Sequence, residues 1–174
     1  MRLVAEPLTS ERLSLEPLRV THAEEMAVVL SDPALYAYIG GAPDDVDALR
    51  ARYARQVAGA PDPAVSWCNW VVRVTADGRL AGTVQATVRP GDAAGGLVAE
   101  VAWMVGAAWQ GRGYATEAAG ALVGWLRGHP EVTSVVAHIH PEHAASAAVA
   151  RAAGLAPTDE WHDGEVRWRL APGR

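Results

Sequence analysis

Residues 101–120, VAWMVGAAWQGRGYATEAAG, decide how the rest of the chain reads. An apolar run gives way to two glycines two positions apart, Gly111 and Gly113, and an alanine-rich helical pattern starts at once. This is a strand, a tight glycine loop and a helix. The first amides of a helix have no intrahelical partner and carry partial positive charge, so such a junction suits an anion. Glycine lets the backbone approach a diphosphate with no Cβ in the way. Arg112, between the two glycines, adds a charged donor. A plain tight turn is the competing reading of the same spacing.

Two common phosphate motifs fail here. All 15 basic residues are arginine, so the lysine of a P-loop is missing, as are lysine Schiff-base and lysine general-base chemistry. The dinucleotide fingerprint needs glycine or alanine three positions after Gly113, where Thr116 stands, and it belongs after a first strand rather than in mid-chain.

Moving outward, the composition describes one domain over residues 1–174. Half of the 174 residues are hydrophobic, enough for a sizeable core, and no stretch reads as a linker or a repeat. The net charge is −5 and the arginines are scattered, which argues against a nucleic-acid surface. Cys68 is the one cysteine and lies in the apolar run SWCNWVVRV, as an inert core thiol would; a disulfide within the chain is excluded. The start, MRLVAEPLTSER, lacks the apolar segment of a signal peptide, and nothing resembles a membrane span. A cytoplasmic protein is expected.

Before the glycine loop, ERLSLEPLR alternates as a strand with Leu13 and Leu15 on one face. Thr21 and Glu24 are spaced as a capping box at the start of a helix. Val46, Leu49, Tyr53 and Val57 share a face of a second helix. SWCNWVVRV and RLAGTVQATVR form a hairpin around Asp77-Gly78, with Leu80, Val84, Ala86 and Val88 on one side. After the loop come a helix with Ala115, Ala118, Leu122 and Trp125 on one face, the strand VTSVVAHIH, and a short helix capped by Gly154. A last hairpin turns at Asp163-Gly164. The sum is an α+β chain with a mixed sheet.

QGRGYA, residues 110–115, resembles the acetyl-coenzyme A signature of the GNAT N-acetyltransferase superfamily, Q/R-x-x-G-x-G/A. The surrounding AEVAWMVGAAWQGRGYATEA, the opening PLTSERLSLEPLR and the closing HPEHAASAAVARAAGL are similar to its RimJ/RimL branch, which acetylates protein N-termini and other amines. The resemblance implies the GNAT fold, with helices on both faces of a sheet splayed open between residues 97–105 and 132–139. It implies acetyl-coenzyme A as co-substrate, its pantetheine arm against the backbone of Trp103, Met104 and Val105. The pyrophosphate is then expected on the amides of Gly111, Arg112, Gly113, Tyr114 and Ala115, next to Gln110.

Acetyl transfer to an amine needs a neutral amine, a route for its proton and support for the oxyanion and leaving thiolate. Alternation puts Glu100 on one strand face with Ala102 and Met104, and the branch often carries a glutamate there, so Glu100 is the candidate general base. A strand-end carboxylate paired with an arginine is its alternative. Ser146 matches the serine of the family's N-x-x-S pattern, near the sulfur, or is a plain first-turn serine. His143 stands where the family has asparagine, able to hold pantetheine or to act on the proton. Ala150 replaces the tyrosine that serves many members as acid, so that mechanism is closed. His138 and His140 face one way but lack a third metal ligand, and no metal is expected. Glu117 reads as a favourable carboxylate in a first helical turn.

The acceptor is then a small-molecule or peptide amine, and Asp32, Asp44, Asp45 and Asp47 lie where substrate loops form, either as a cation attractor or, more plainly, as solvated acids at helix starts. The expected route is direct attack in a ternary complex, by a monomer or homodimer, with neither nucleic acid nor membrane as partner. The alternative is a catalytically inactive coenzyme A-binding sensor or structural module.

Overall fold

The structure is a computed structural model that describes residues 2–92 and 95–171. Eight strands form one sheet, β1 (Leu8–Thr9), β2 (Leu13–Pro17), β3 (Ser66–Val74), β4 (Leu80–Pro90), β5 (Leu97–Val105), β6 (Val132–Ile139), β7 (Leu155–His162) and β8 (Glu165–Leu170). Their spatial order is β1-β2-β3-β4-β5-β6-β8-β7. Every neighbouring pair is antiparallel except β5 and β6, which run parallel. A parallel pair needs a crossover, here the helix α3 (Tyr114–Arg127). The other helices are α1 (Ala23–Val29), α2 (Val46–Ala58) and α4 (Ala144–Ala152).

The sheet is covered on both faces. On one, Val84, Ala86, Val88, Ala99 and Val101 pack with Ala118, Leu122 and Leu126 of α3. On the other, Val71 and Leu80 pack with Met26 of α1 and Leu49 and Tyr53 of α2. Trp70 is fully buried, its ring edge-on to Trp125 at 5.1 Å and its indole N–H donating to Glu6 O at 2.7 Å. Cys68 is the core thiol expected, buried with its pKa pushed up to about 11 by desolvation.

Three local expectations are corrected. Leu80 does not share a face with Val84: the β3–β4 register shifts between Val72 and Arg73, so the ladder passes from Gly82 to Leu80 and turns Leu80 towards α1 and α2. Thr21 opens no capping box, because it lies inside a 3₁₀ turn, Val20–His22; the buried His22 instead accepts from Arg19 N–H at 3.0 Å. Val57 is 53% exposed, one turn beyond the buried part of α2. Both hairpin turns form as read, with φ of +71° at Gly78 and +48° at Asp163.

Helix α3 carries two glycines in its interior, Gly120 and Gly124, and a Cβ at either meets nothing within 4 Å. Glycine in a helix costs about 0.8–1 kcal/mol relative to alanine. Gly120→Ala and Gly124→Ala are each expected to raise Tm by about 2–4 °C, measured by thermal unfolding.

Candidate active site

Strands β5 and β6 pair only from Leu97↔Val132 to Glu100↔Val136. Beyond that point β6 keeps β8 as its neighbour, and β5 keeps β4 through Val101↔Ala86 to Val105↔Gly82. The inner edge of β5 over residues 101–105 therefore has backbone N–H and C=O groups with no strand opposite. Such groups need partners, and an extended ligand carrying amides can supply them. The wedge opens into a cleft of about 730 Å³, a size typical of small-molecule sites.

The glycine loop lies at the end of this wedge. Gly111 and Gly113 have φ of +77° and +80°, and Gly113 is the N-cap of α3 with no side chain capping the first turn. The amides at the head of α3 are thus left to a ligand. Gln110 Nε2 donates to Val105 O at 3.1 Å, tying the loop to the open strand. The Arg12 guanidinium donates to Arg112 O at 2.8 Å and lies 4.7 Å over the Tyr114 ring.

Glu117 holds this assembly from below. Its carboxylate accepts from Ser10 Oγ at 2.5 Å, Arg12 N at 2.8 Å and Arg12 Nε at 2.7 Å. Burial pushes the carboxyl up, but the bonds from Ser10 and Arg12 outweigh it and keep it below the ordinary carboxylate range. A depressed pKa means that this stabilisation is present above the unfolded pKa, about 4.3, and is lost as pH falls through the folded value. Glu117→Gln is expected to lower Tm by about 2–4 °C at pH 7. The gap to the unmodified protein should narrow as pH falls below about 4.3, and a gap independent of pH would refute the assignment.

At the apex of the wedge, Glu100 joins two neighbouring strands. Its Oε2 accepts from Arg89 Nη1 at 3.2 Å, and its Oε1 meets His138 Nδ1 in a short hydrogen bond. Burial raises its pKa; the bond to His138 and then Arg89 more than offset this, so the carboxyl lies below its ordinary range. The arginine pairing foreseen for Glu100 is present, together with a histidine. The His138 side chain is only 8% exposed, and its Nε2 has no hydrogen-bond partner among the described residues.

On the far wall, His143 caps α4 and its Nε2 is 3.4 Å from Ser146 Oγ. Its ring stacks on Tyr38 at 4.6 Å, while Tyr38 and His140 are 5.1 Å apart. Burial, and then His140, hold the His143 pKa below its usual value. Tyr38, from the segment between α1 and α2, thus bridges to the head of α4 across the cleft.

The acetyltransferase (GNAT) domain model matches residues 12–156. The chain belongs to the GNAT acetyltransferase family. A GNAT acetyltransferase from Bacillus anthracis has a TM-score of 0.76 at 17% identity, covering 95% of this chain and 98% of that one. RimL, a ribosomal L7/L12 alpha-N-protein acetyltransferase in complex with coenzyme A, has a TM-score of 0.74 at 16% identity, covering 94% and 96%. AAC(6')-Ib, in complex with paromomycin and acetyl-coenzyme A, has a TM-score of 0.73 at 20% identity, covering 92% and 93%. No curated protein matches by sequence. The splayed, mixed α+β sheet is the GNAT fold, and acetyl transfer from coenzyme A is the chemistry of the family.

Within this GNAT cleft the structure gathers Trp103, Met104, Val105, Gln110, Gly111 and Gly113 along one side. Tyr114, Ala115, His143 and Ser146 complete it. Arg112 and Glu100 are not among its lining residues; Arg112 is exposed beside the loop, and Glu100 reaches the cleft through His138. The acidic residues foreseen as a cation attractor serve other ends. Asp32 and Asp45 cap Ala34 N and Ala48 N, and Asp44 and Asp47 pair with Arg52 and Arg50, each at 3.0 Å. Instead Glu142 and Glu165 border the cleft. Tyr38, Trp109 and Glu165 were not singled out by sequence, since only folding brings their distant segments together. Among the described residues no group of three metal-ligating side chains forms, and no helix is long and apolar enough to cross a membrane.

Proposed function

We propose that this chain is an acetyl-coenzyme A-dependent N-acetyltransferase of the RimJ/RimL type, acting as one domain on a primary amine by direct attack in a ternary complex. The observation that carries the proposal is the unpaired inner edge of β5 running from Glu100 towards the glycine loop. Pantetheine amides extend that edge at Trp103, Met104 and Val105. The pyrophosphate rests on the amides of Gly111, Arg112, Gly113, Tyr114 and Ala115. Both left-handed glycines fit this role, because side chains there would strain the loop that has to lie flat against the diphosphate.

Ser146 donates its hydroxyl to the sulfur as the thiolate leaves, with His143 oriented beside it. His143 takes the place of the family's asparagine as a neutral hydrogen-bonding group, in keeping with its lowered pKa. Glu100 belongs to the path by which the amine loses its proton. The acceptor enters beside Tyr38, where Glu142 and Glu165 favour a cationic group before it is deprotonated. RimL, an alpha-N-protein acetyltransferase, and AAC(6')-Ib, seen in complex with paromomycin, suggest two amine classes to try, a protein α-amine and an aminoglycoside.

The test is incubation with isotope-labelled acetyl-coenzyme A and a pooled panel of amines and free-amino peptides, with product detection by mass spectrometry. A labelled amide is expected and names the acceptor class. Retained coenzyme A with no labelled amide would favour the sensor reading; no retained coenzyme A would overturn the assignment of the glycine loop.

A further inference from the structure

We propose that His138, through Nε2, is the group that takes the proton from the attacking amine, and that Glu100 is a positioning residue acting through it. This deepens the acetyltransferase reading and rests on it. Three observations place the pair. Glu100 is the last residue of β5 that faces a β6 partner, so its side chain stands at the apex of the wedge; His138 lies two residues beyond that partner, Val136, on the same face. Both Glu100 oxygens are engaged, one by Arg89 and one by His138 Nδ1, and Glu100 does not line the cleft whereas His138 does. Finally, Nε2 is buried and has no partner among the described residues.

The tautomer follows from donor and acceptor chemistry. An ionised carboxylate only accepts hydrogen bonds, so Nδ1 carries the proton and Nε2 keeps its lone pair. A buried lone pair with nothing to accept is costly in a structural role, and it is what a general base requires. The arrangement has the logic of a carboxylate-oriented histidine, in which the carboxylate fixes the tautomer and stabilises the imidazolium. The other charged and titratable groups around the ring are Arg89 on β4, Arg167 opposite His138 on β8, Glu165 on β8, and His162 of β7, whose ring is 4.9 Å away.

In the step itself the amine lone pair attacks the thioester carbon. A C–N bond forms, and the carbonyl π pair moves onto oxygen. His138 Nε2 takes one N–H proton, directly or through one water. The oxygen pair then re-forms the carbonyl, the C–S bond breaks and its electrons leave on sulfur. The thiolate takes a proton from solvent and the imidazolium returns one, so one amine and one thioester give one amide and one thiol.

Two measurements test this. Nitrogen-15 NMR of the imidazoles in the unmodified protein is expected to show neutral His138 as the tautomer with a protonated Nδ1 and a bare Nε2; the opposite tautomer would overturn the proposal. In steady-state assays with acetyl-coenzyme A and either an alanyl peptide or 1,4-diaminobutane, His138→Gln is expected to lower kcat roughly 10²- to 10⁴-fold, with coenzyme A affinity kept. His138→Ala should regain turnover in proportion to added imidazole, which a merely structural role would not produce. Unchanged kcat in His138→Gln would remove His138 from catalysis and leave the acetyltransferase reading intact. Failure of the unmodified protein to acetylate any amine, with coenzyme A bound, would bring down that reading and this one with it.

Discussion

Glu100→Gln is expected to lower kcat by roughly 10²- to 10⁴-fold while leaving the dissociation constant of coenzyme A unchanged. The carboxylate is held below its ordinary pKa range, after burial is offset by His138 and Arg89, so it is a weak proton acceptor at neutral pH. Its contribution lies in what it does to the imidazole. A glutamine can turn its NH₂ towards His138 Nδ1, which places the ring proton on Nε2 and removes the lone pair the amine needs. It also loses the charge that stabilises the imidazolium. The contacts proposed for coenzyme A lie elsewhere, at Trp103, Met104 and Val105 of β5 and on the glycine loop, so binding should be spared. Groups that act as one unit are non-additive; Glu100→Gln combined with His138→Gln should therefore cost little more than either change alone. If kcat were unchanged while Tm fell, Glu100 would be only a brace between β4 and β6.

The contrast between what was legible in the sequence and what was not is itself physical. The glycine loop, the order of elements and the face assignment of Glu100 depend on local periodicity and on motif spacing, and all three stand in the structure. The Glu100–His138 contact depends on the parallel register of two strands joined through a helix of fourteen residues. Nothing local sets that register, so His138 read only as one of two histidines on a strand. Tyr38 is harder still, since its stacking on His143 joins the segment after α1 to the head of α4. The aspartates follow the plainer of their two readings: Asp32 and Asp45 are helix caps, a role that their positions before helical turns already permitted. The bulge that turns Leu80 over has no marker in the alternation of β4, because Ala81 is apolar and fits the buried side equally well.

Gly113→Val is expected to raise the dissociation constant for coenzyme A by about 10- to 100-fold, the loss of one or two well-placed hydrogen bonds to a charged group at about 1.5–3 kcal/mol each being enough. Gly113 sits at φ +80° and ψ +10°, the left-handed region, which costs a residue with a Cβ about 1–2 kcal/mol. A valine, branched at that carbon, suits the region worst. The surroundings add a second effect. A Cβ there comes within 3.3 Å of Arg12 Nη2, and the same guanidinium holds the Arg112 carbonyl and pairs with Glu117. Displacing it would loosen the residues whose amides are proposed to receive the pyrophosphate. Gly111 provides the control: it has φ of +77° but no atom within 4 Å of a Cβ. Gly111→Ala therefore carries the backbone strain without the displacement of Arg12. If both variants bound coenzyme A equally well by calorimetry, strain alone would account for the loss. A larger loss for Gly113→Val, together with a lower Tm, is the expected result, and it would make Arg12 part of the phosphate cradle through the Arg112 carbonyl.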